Sequence, residues 1–278
     1  MSHADDRSYA HLDICNPVVR VSGDDILGCF DDMYRMKKPV IISNNHWKAE
    51  SDWKSICYLT ELLHDPCVEV LISNDDRRFL KHELCTVEEM ELSLVLSRIF
   101  SIDEDDKYPL KLYCRLYLDM YPELAQDIDT LLLSRLAGIE NFKGKNCGVW
   151  ISSQGCETPL HYDLCHGFLA QIVGRKRFLL ASPADTPCMY RTTSHATKNT
   201  TSSRADLSAW LAGSTEERRK HSALGDAQWF IAELGPGDVL YTPPGWWHQV
   251  VSEDSCVSVL LPFDMVPPAE QLATLLCC

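Results

Sequence analysis

From about residue 147 onward, the chain alternates short apolar runs with polar turns. The runs are rich in β-branched and aromatic residues and are bounded by glycine, proline, aspartate or serine: CGVWISS, FLAQIVG, RKRFLLAS, GDVLYTPP, WHQVVS and SCVSVLLPF. Short strands at regular spacing, without long helices between them, are typical of an antiparallel sandwich or barrel. The pattern therefore predicts a β-barrel core over residues 141–265.

The first half of the chain predicts a mixture of helices and strands. A helix with Ser22 as its N-cap is expected, because the apolar residues that follow have helical spacing. Residues 37–43 (KKPVIIS) and 66–73 (PCVEVLIS) have the pattern of short strands. The capping-box sequence that begins at Thr86 predicts a helix in MELSLVLSRIF, and residues 122–136, which begin with proline, predict another.

A polar, low-complexity stretch interrupts the strands at residues 192–227. It predicts a long insertion that contains one short helix and a mobile loop. We expect one domain over residues 1–278, in which residues 1–140 supply helices and strands around the barrel and residues 266–278 form a C-terminal tail. The tail sequence PPAEQLATLLCC is compatible with a helix, so a homodimer through this tail is a further hypothesis.

The composition is that of a soluble globular protein, with 45% apolar and 24% charged residues in a chain of 278. No apolar run reaches eighteen residues, and the first residues lack the basic-then-apolar order of a signal peptide. We therefore expect no membrane association and a location in the cytoplasm or the nucleus.

Charge and cysteine content disfavour two classes of site, a non-specific nucleic-acid surface and a structural zinc site. The net charge of −14 disfavours non-specific binding to nucleic-acid phosphates. The thirteen cysteines are scattered and include no CxxC pair, so free thiols are expected rather than a structural zinc site.

The stretch TPLHYDLCHG contains a candidate pair of metal ligands, His161 and Asp163. Residues i and i+2 of a strand face the same side, so an imidazole nitrogen and a carboxylate oxygen would converge. The pair alone is weak evidence for a metal, because such pairs are far more often hydrogen-bonded polar residues than metal ligands. His166 lies five residues beyond His161 and would point to the opposite side, so we leave it out of the site.

A third candidate ligand, His248, follows two turns in GPGDVLYTPPGWWHQV. Two histidines and one carboxylate on one face of an iron ion leave the other face open for substrate and oxygen. The alternative is a histidine that packs beside Trp246 and Trp247 and has no metal to bind.

Lys176 lies fifteen residues after His161, on what should be a neighbouring strand. A lysine that points into an apolar barrel is costly unless an anion pairs with it, and an anionic cosubstrate would serve. The alternative is that Arg175, Lys176 and Arg177 form a solvated basic run.

These motifs together resemble the JmjC family of Fe(II)- and 2-oxoglutarate-dependent oxygenases. The resemblance is strongest over residues 158–183 and 235–248, and KKPVIISNNHW at residues 37–47 is similar to the usual N-terminal entry of these enzymes. It is closest to the small hydroxylase branch that includes the asparaginyl hydroxylase of hypoxia-inducible factor and the tRNA wybutosine hydroxylase. The resemblance implies a mainly β fold with helices, a double-stranded β-helix (jelly-roll or cupin) barrel with N-terminal helices packed around it.

The resemblance also implies a role for each candidate residue. His161, Asp163 and His248 would bind Fe(II), and the metal centre would carry the chemistry without a further catalytic residue. Thr158 and Lys176 would hold the distal carboxylate of 2-oxoglutarate, with O2 as the second cosubstrate. A tyrosine that precedes the core would join them; Tyr113 is our choice and Tyr108 the second one.

Two positions depart from the family pattern. Gly167 stands where the asparaginyl hydroxylase has an asparagine near the cosubstrate, and Pro262-Phe263-Asp264 stands where relatives commonly have Asn-Phe-Trp.

The function that the resemblance implies is the hydroxylation of a C–H bond, with a protein or peptide substrate favoured over RNA. The alternatives are an N-methyl-lysine demethylase, a tRNA or nucleoside hydroxylase, a small-molecule oxygenase and a non-catalytic cupin-type binding module. The complete set of three ligands and a lysine favours an enzyme, because degenerate members of the family usually lose one of them.

Overall fold

The computed structural model describes residues 15–35, 37–73, 85–100, 111–140, 142, 147–192 and 201–263. Fourteen strands lie within these ranges: β1 Asn16–Pro17, β2 Arg20–Ser22, β3 Val40–Ser43, β4 Cys67–Ser73, β5 Cys85–Glu91, β6 Lys111–Tyr117, β7 Gly148–Ser152, β8 Glu157–Tyr162, β9 His166–Val173, β10 Lys176–Ala181, β11 Trp229–Leu234, β12 Val239–Thr242, β13 Trp247–Ser252 and β14 Cys256–Phe263. Every apolar run that the sequence marks as a strand after residue 147 forms one.

The strands form two sheets with the jelly-roll architecture of a cupin, as the sequence predicts. One sheet has the order β1-β11-β10-β13-β8, and the other has the order β2-β3-β12-β9-β14-β7-β6-β4-β5. All neighbours are antiparallel except two pairs, β1 with β11 and β2 with β3. The smaller sheet carries the strands of His161, Lys176 and His248, so the barrel wall determines where these side chains meet.

In the same described ranges, seven short α-helices accompany the sheets: α1 Phe30–Arg35, α2 Lys48–Asp52, α3 Ile56–Leu63, α4 Leu92–Phe100, α5 Leu131–Ala137, α6 Leu207–Leu211 and α7 Thr215–Lys220. The larger core packs apolar side chains of the first five helices against the nine-stranded sheet. The N-terminal half therefore does more than surround the barrel with helices, because it also contributes strands β1–β6 to the two sheets.

Two predicted helix starts are wrong. The capping box at Thr86 lies inside β5, where every residue from Cys85 to Glu91 pairs with β4. This non-local pairing takes the backbone groups that a cap would use, and α4 begins only at Leu92. Ser22 is the last residue of β2 and pairs with Ser43, so it caps no helix.

Two other segments contain more helical elements than the sequence predicts. Residues 122–136 are split into a 3₁₀ helix, Pro122–Asp127, and α5. Asp127 is buried at the break, where its carboxylate accepts hydrogen bonds from Trp53 Nε1 at 2.9 Å and the Tyr58 hydroxyl at 2.7 Å. The insertion between β10 and β11 contains α6, α7 and a further 3₁₀ turn instead of one helix.

Residues 193–200 of the insertion, the C-terminal tail and Tyr108 lie outside the described residues. Within the described ranges, no helix has the length and apolar character needed to cross a membrane. The cysteines in that part of the chain are free thiols.

Candidate active site

His161 and His248 are direct neighbours across the β8–β13 pair. Their ring centroids lie 4.2 Å apart. Asp163 follows the end of β8, and its Oδ2 lies 3.8 Å from His248 Nε2. One ligand atom from each of the three residues lies within 4.8 Å of the other two, which is close enough for all three to contact one metal ion.

Both imidazoles have the tautomer that metal binding through Nε2 requires. His161 Nδ1 lies 2.8 Å from the carbonyl oxygen of Pro159, and His248 Nδ1 lies 3.0 Å from that of Trp246. A carbonyl oxygen only accepts hydrogen bonds, so each Nδ1 carries the proton and donates it, which leaves the Nε2 lone pairs free to bind.

The electrostatics of the site keep His248 neutral. Burial, followed by the proximity of His161, lowers the pKa of His248 from 6.5 to about 4. The imidazole is therefore deprotonated at neutral pH, the state in which it binds metals. Asp163 has the opposite environment, because its side chain is 49% exposed.

A β-bulge places Thr158 on the same side as His161. Three positions separate the two residues, so a regular strand would direct them to opposite faces. The β8–β13 register shifts between the pairs His248–His161 and Val250–Thr158, which leaves an extra residue in β8 at Pro159–Leu160. Bulges of this kind re-aim side chains, and proline is tolerated on an edge strand such as β8. Thr158 and His161 both line the same cavity.

The tight turn that precedes the His248 strand is hydrogen-bonded to the loop that carries Asp163. Gly245 has φ = +80°, the left-handed conformation that a type II turn with Pro244 before it requires. The Gly245 N–H donates a hydrogen bond of 2.9 Å to the Asp163 carbonyl oxygen. The turn therefore fixes the third ligand relative to the strand that carries the second.

A cavity of about 470 Å³ extends from the three ligands along the inner face of the smaller sheet. Lys176 lines it and is 5% exposed. In the register of β10 with β13, Lys176 pairs with Ser252, whereas His248 pairs with Leu180. The lysine therefore lies four residues from His248 along the strand direction, about 13 Å at 3.3 Å per residue.

The environment of Lys176 is unusual for a lysine. Burial lowers the pKa of its ammonium group from 10.5. Among the described residues, no carboxylate forms an ion pair with it. By contrast, Arg175 and Arg177 on either side pair with Asp254 and Glu253. The alternative of a solvated basic run therefore holds for Arg175, whose side chain is 63% exposed, but neither for Arg177, at 12%, nor for the lysine.

Tyr113 lines the same cavity from β6, in the larger sheet. It is buried, its ring packs edge-on against Trp150 with centroids 5.1 Å apart, and burial raises the pKa of its phenol well above 10. The structure thus brings Tyr113, Thr158 and Lys176 to one cavity with the three candidate ligands.

Sequence reasoning missed Arg115, which also lines the cavity. It lies two residues after Tyr113 and directly opposite Trp150 across the β6–β7 pair. Residues two apart in a strand face the same side, so the choice of Tyr113 as a cavity residue also predicts Arg115.

The other singled-out residues pack in the cores. His166 is buried in the larger sheet, with Nδ1 2.8 Å from the Tyr241 hydroxyl and its ring stacked on Tyr34. Trp247 packs against Tyr162 and Trp246 against Phe230.

The two positions that depart from the family pattern are neighbours on adjacent strands of one cavity wall. Gly167 pairs with Pro262 in β9 and β14, and both line the cavity. A Cβ built on Gly167 would meet only Leu260 Cδ1, at 3.9 Å. Space does not require the glycine, so its effect is to leave the cavity wider at this wall.

Comparison with known proteins gives one family and several relatives. Residues 28–268 match the family model described as a cupin-like domain. The Jumonji C domain-containing protein 5 of Drosophila melanogaster is 29% identical over 80% of this chain and 53% of its own length. The lysine-specific demethylase JMJ30 of Arabidopsis thaliana is 29% identical over 88% of this chain and 54% of its own length.

A third relative matches a smaller segment. The tRNA wybutosine-synthesizing protein 5 of Gallus gallus is 34% identical over 39% of this chain and 30% of its own length. The chain spans about half the length of the first two relatives.

Proposed function

The chain belongs to the cupin-like domain family and is similar to its JmjC members, and on that basis we propose that it is a 2-oxoglutarate-dependent oxygenase that uses Fe(II). Its reaction is the hydroxylation of a C–H bond, with a protein side chain as the substrate. This chain covers only about half the length of these relatives. The proposed activity is therefore argued chiefly from the side chains of its own cavity.

One observation carries the proposal. A single cavity has three metal-ligating side chains at one end and the buried ammonium group of Lys176 further along the same sheet. Each feature is costly alone: the histidines lose water, and the lysine is buried as a cation. A metal ion and a dianionic cosubstrate between them would offset both costs.

The donor set fits Fe(II). Two imidazole Nε2 atoms and one carboxylate are the ligands that non-haem Fe(II) oxygenases use, and they leave positions open on the other face. When bound, Fe(II) would couple the conversion of 2-oxoglutarate and O2 into succinate and CO2 to the insertion of the second oxygen atom into a substrate C–H bond.

The side chains of the cavity would bind and orient the cosubstrate. Lys176 would neutralise the distal carboxylate of 2-oxoglutarate through a charge-assisted hydrogen bond, with Thr158 and Tyr113 as further donors. The apolar side chains of Phe178 and Val250 line the wall between Lys176 and His248 and exclude water from it.

Demethylation of an N-methyl group is a second candidate, because hydroxylation of that group releases it. Two relatives named as lysine-specific demethylases, from Arabidopsis thaliana and Xenopus tropicalis, cover 88% and 83% of this chain. An RNA substrate has weaker support, since the net charge is −14.

The test is succinate production by the purified chain with Fe(II), ascorbate and 2-oxoglutarate. We expect more succinate than from His161→Ala, and the same amount from His46→Ala, which replaces an exposed histidine. Equal succinate from the wild type and His161→Ala would contradict the proposal.

A further inference from the structure

A segment of the insertion completes the cavity wall beside the metal ligands. Residues 201–203, the edge segment, pair with the outer side of β8, the last strand of the smaller sheet. The Tyr162 N–H donates to the Thr201 carbonyl oxygen at 3.0 Å, and the Ser203 N–H donates to that of Leu160 at 2.8 Å. The insertion therefore holds β8 from its outer side.

Ser202 lies directly opposite His161 in this pairing. The two hydrogen bonds flank the pair instead of joining it. In such a pair the Cα atoms lie about 4.5 Å apart and the side chains are close. Paired residues share a face of a sheet, so the row of Ser202, His161 and His248 directs all three side chains to the cavity. The hydroxyl of Ser202 is therefore a neighbour of the candidate metal site.

The Ser202 hydroxyl is available to a ligand. Within the described part of the chain it makes no hydrogen bond, and the residue lines the cavity. The next residue has the opposite role: Ser203 is buried, and its hydroxyl donates to the Met189 carbonyl oxygen at 2.6 Å and accepts from the Ala205 N–H at 2.9 Å. Ser203 thus anchors the edge segment, whereas Ser202 presents a donor and an acceptor to the cavity.

The wall around Ser202 favours an uncharged group. In the loop after β8 and in the edge segment, the described cavity-lining residues include one carboxylate, Asp163, which binds the metal in the proposed function. Leu164 is apolar, and burial raises the pKa of the Cys165 thiol to about 12, so this thiol is neutral. An ionised substrate group would lose water here without a counter-charge, whereas an amide can exchange hydrogen bonds with the Ser202 hydroxyl.

We propose that Ser202 determines specificity by hydrogen-bonding an amide group of a polypeptide substrate beside the metal site. This inference rests on the proposed function and names the substrate group that the insertion recognises. It gives the insertion a direct part in substrate binding, in addition to its apolar packing against the smaller sheet.

The experiment uses N-methylacetamide, a small probe that consists of one peptide group. The full chain is loaded with Mn(II) in place of Fe(II) and with 2-oxoglutarate, and the paramagnetic relaxation of the probe's methyl protons reports binding near the metal. We expect Ser202→Ala to reduce this relaxation enhancement about fivefold, the effect of losing one neutral hydrogen bond. Tetramethylammonium, a cationic probe, should show a smaller enhancement that Ser202→Ala leaves unchanged.

Two further variants separate the hydroxyl from the fold. Ser202→Thr keeps a hydroxyl and should keep most of the enhancement, whereas Ser222→Ala, at an exposed serine, should leave it unchanged. Alanine at position 202 keeps the backbone hydrogen bonds of the edge segment, so Ser202→Ala should fold. If it does not, the wild-type preference for N-methylacetamide over tetramethylammonium decides.

The outcomes distinguish the two proposals. An N-methylacetamide enhancement that Ser202→Ala retains, no enhancement in the Mn(II)-loaded wild type, or a larger one for tetramethylammonium overturns the role of Ser202. Failure of the proposed function would appear separately, as Mn(II) binding, measured from the relaxation of water protons, that is equal in the wild type and His161→Ala.

Discussion

The side-chain amide of Gln249 donates a hydrogen bond of 2.6 Å to the carboxylate of Glu157. The two residues are buried next to His248 and Thr158, and neither lines the cavity. Ser208 of α6 donates to the other carboxylate oxygen at 2.6 Å. A polar network therefore connects the insertion to the two ligand-bearing strands from behind the site.

Gln249→Leu should destabilise the protein and weaken metal binding. The change removes a donor from a buried carboxylate, which costs about 2 kcal/mol of unfolding free energy. Urea unfolding with and without Mn(II) measures both effects. Gln228→Leu, at an exposed glutamine, is the matched control and should change neither. A Gln249→Leu protein as stable as the wild type would show that the network does not hold the strands.

The metal-free protein should lose stability in mild acid because of His248. The pKa of this residue is about 4 in the folded state and 6.5 in an unfolded chain. The unfolded state therefore takes up a proton first as the pH falls, and the free energy of unfolding decreases between pH 6.5 and 4. The full effect is about 3 kcal/mol.

The measurement is denaturant unfolding at several pH values after treatment with a chelator. His248→Gln should flatten the profile, whereas His46→Gln should keep the wild-type slope. Parallel profiles for the wild type and His248→Gln would mean that His248 titrates normally in the folded protein.

Lys176→Met should separate stability from function. Removing a buried cation that has no carboxylate partner among the described residues relieves a desolvation cost on the order of 1 kcal/mol or more, so the melting temperature without cosubstrate should rise. The same change should raise the KM for 2-oxoglutarate at least about tenfold. Lys54→Met, at an exposed lysine, should leave both quantities unchanged. An unaltered KM in Lys176→Met would remove the lysine from the cosubstrate site.

The sequence predicts the strands and much of the candidate site because both follow local rules. Short β-rich runs bounded by turn residues predict the barrel strands, and the i,i+2 rule predicts the approach of His161 and Asp163. The local sequence around Lys176 favours a solvated basic run, so the inward position of this lysine is implied only by the resemblance to the family.

The remainder depends on pairing between distant strands. The side that Thr158 faces depends on a bulge at Pro159, which only the register with β13 reveals. The strand at Thr86 forms because β4 pairs with it, against its local capping pattern. The position of Arg115 is predictable only through Tyr113, because residues two apart in a strand share a face.

The most direct test of the central claim is an anaerobic titration of the protein with Fe(II) in the presence of 2-oxoglutarate. Chelation of Fe(II) by the keto acid produces a visible charge-transfer absorption. We predict that this band saturates at one equivalent of Fe(II) in the wild type and in His46→Ala, and that it is lost in His161→Ala. A wild-type protein without the band, or a His161→Ala protein that keeps it, would contradict the assignment of this cavity as an iron and 2-oxoglutarate site.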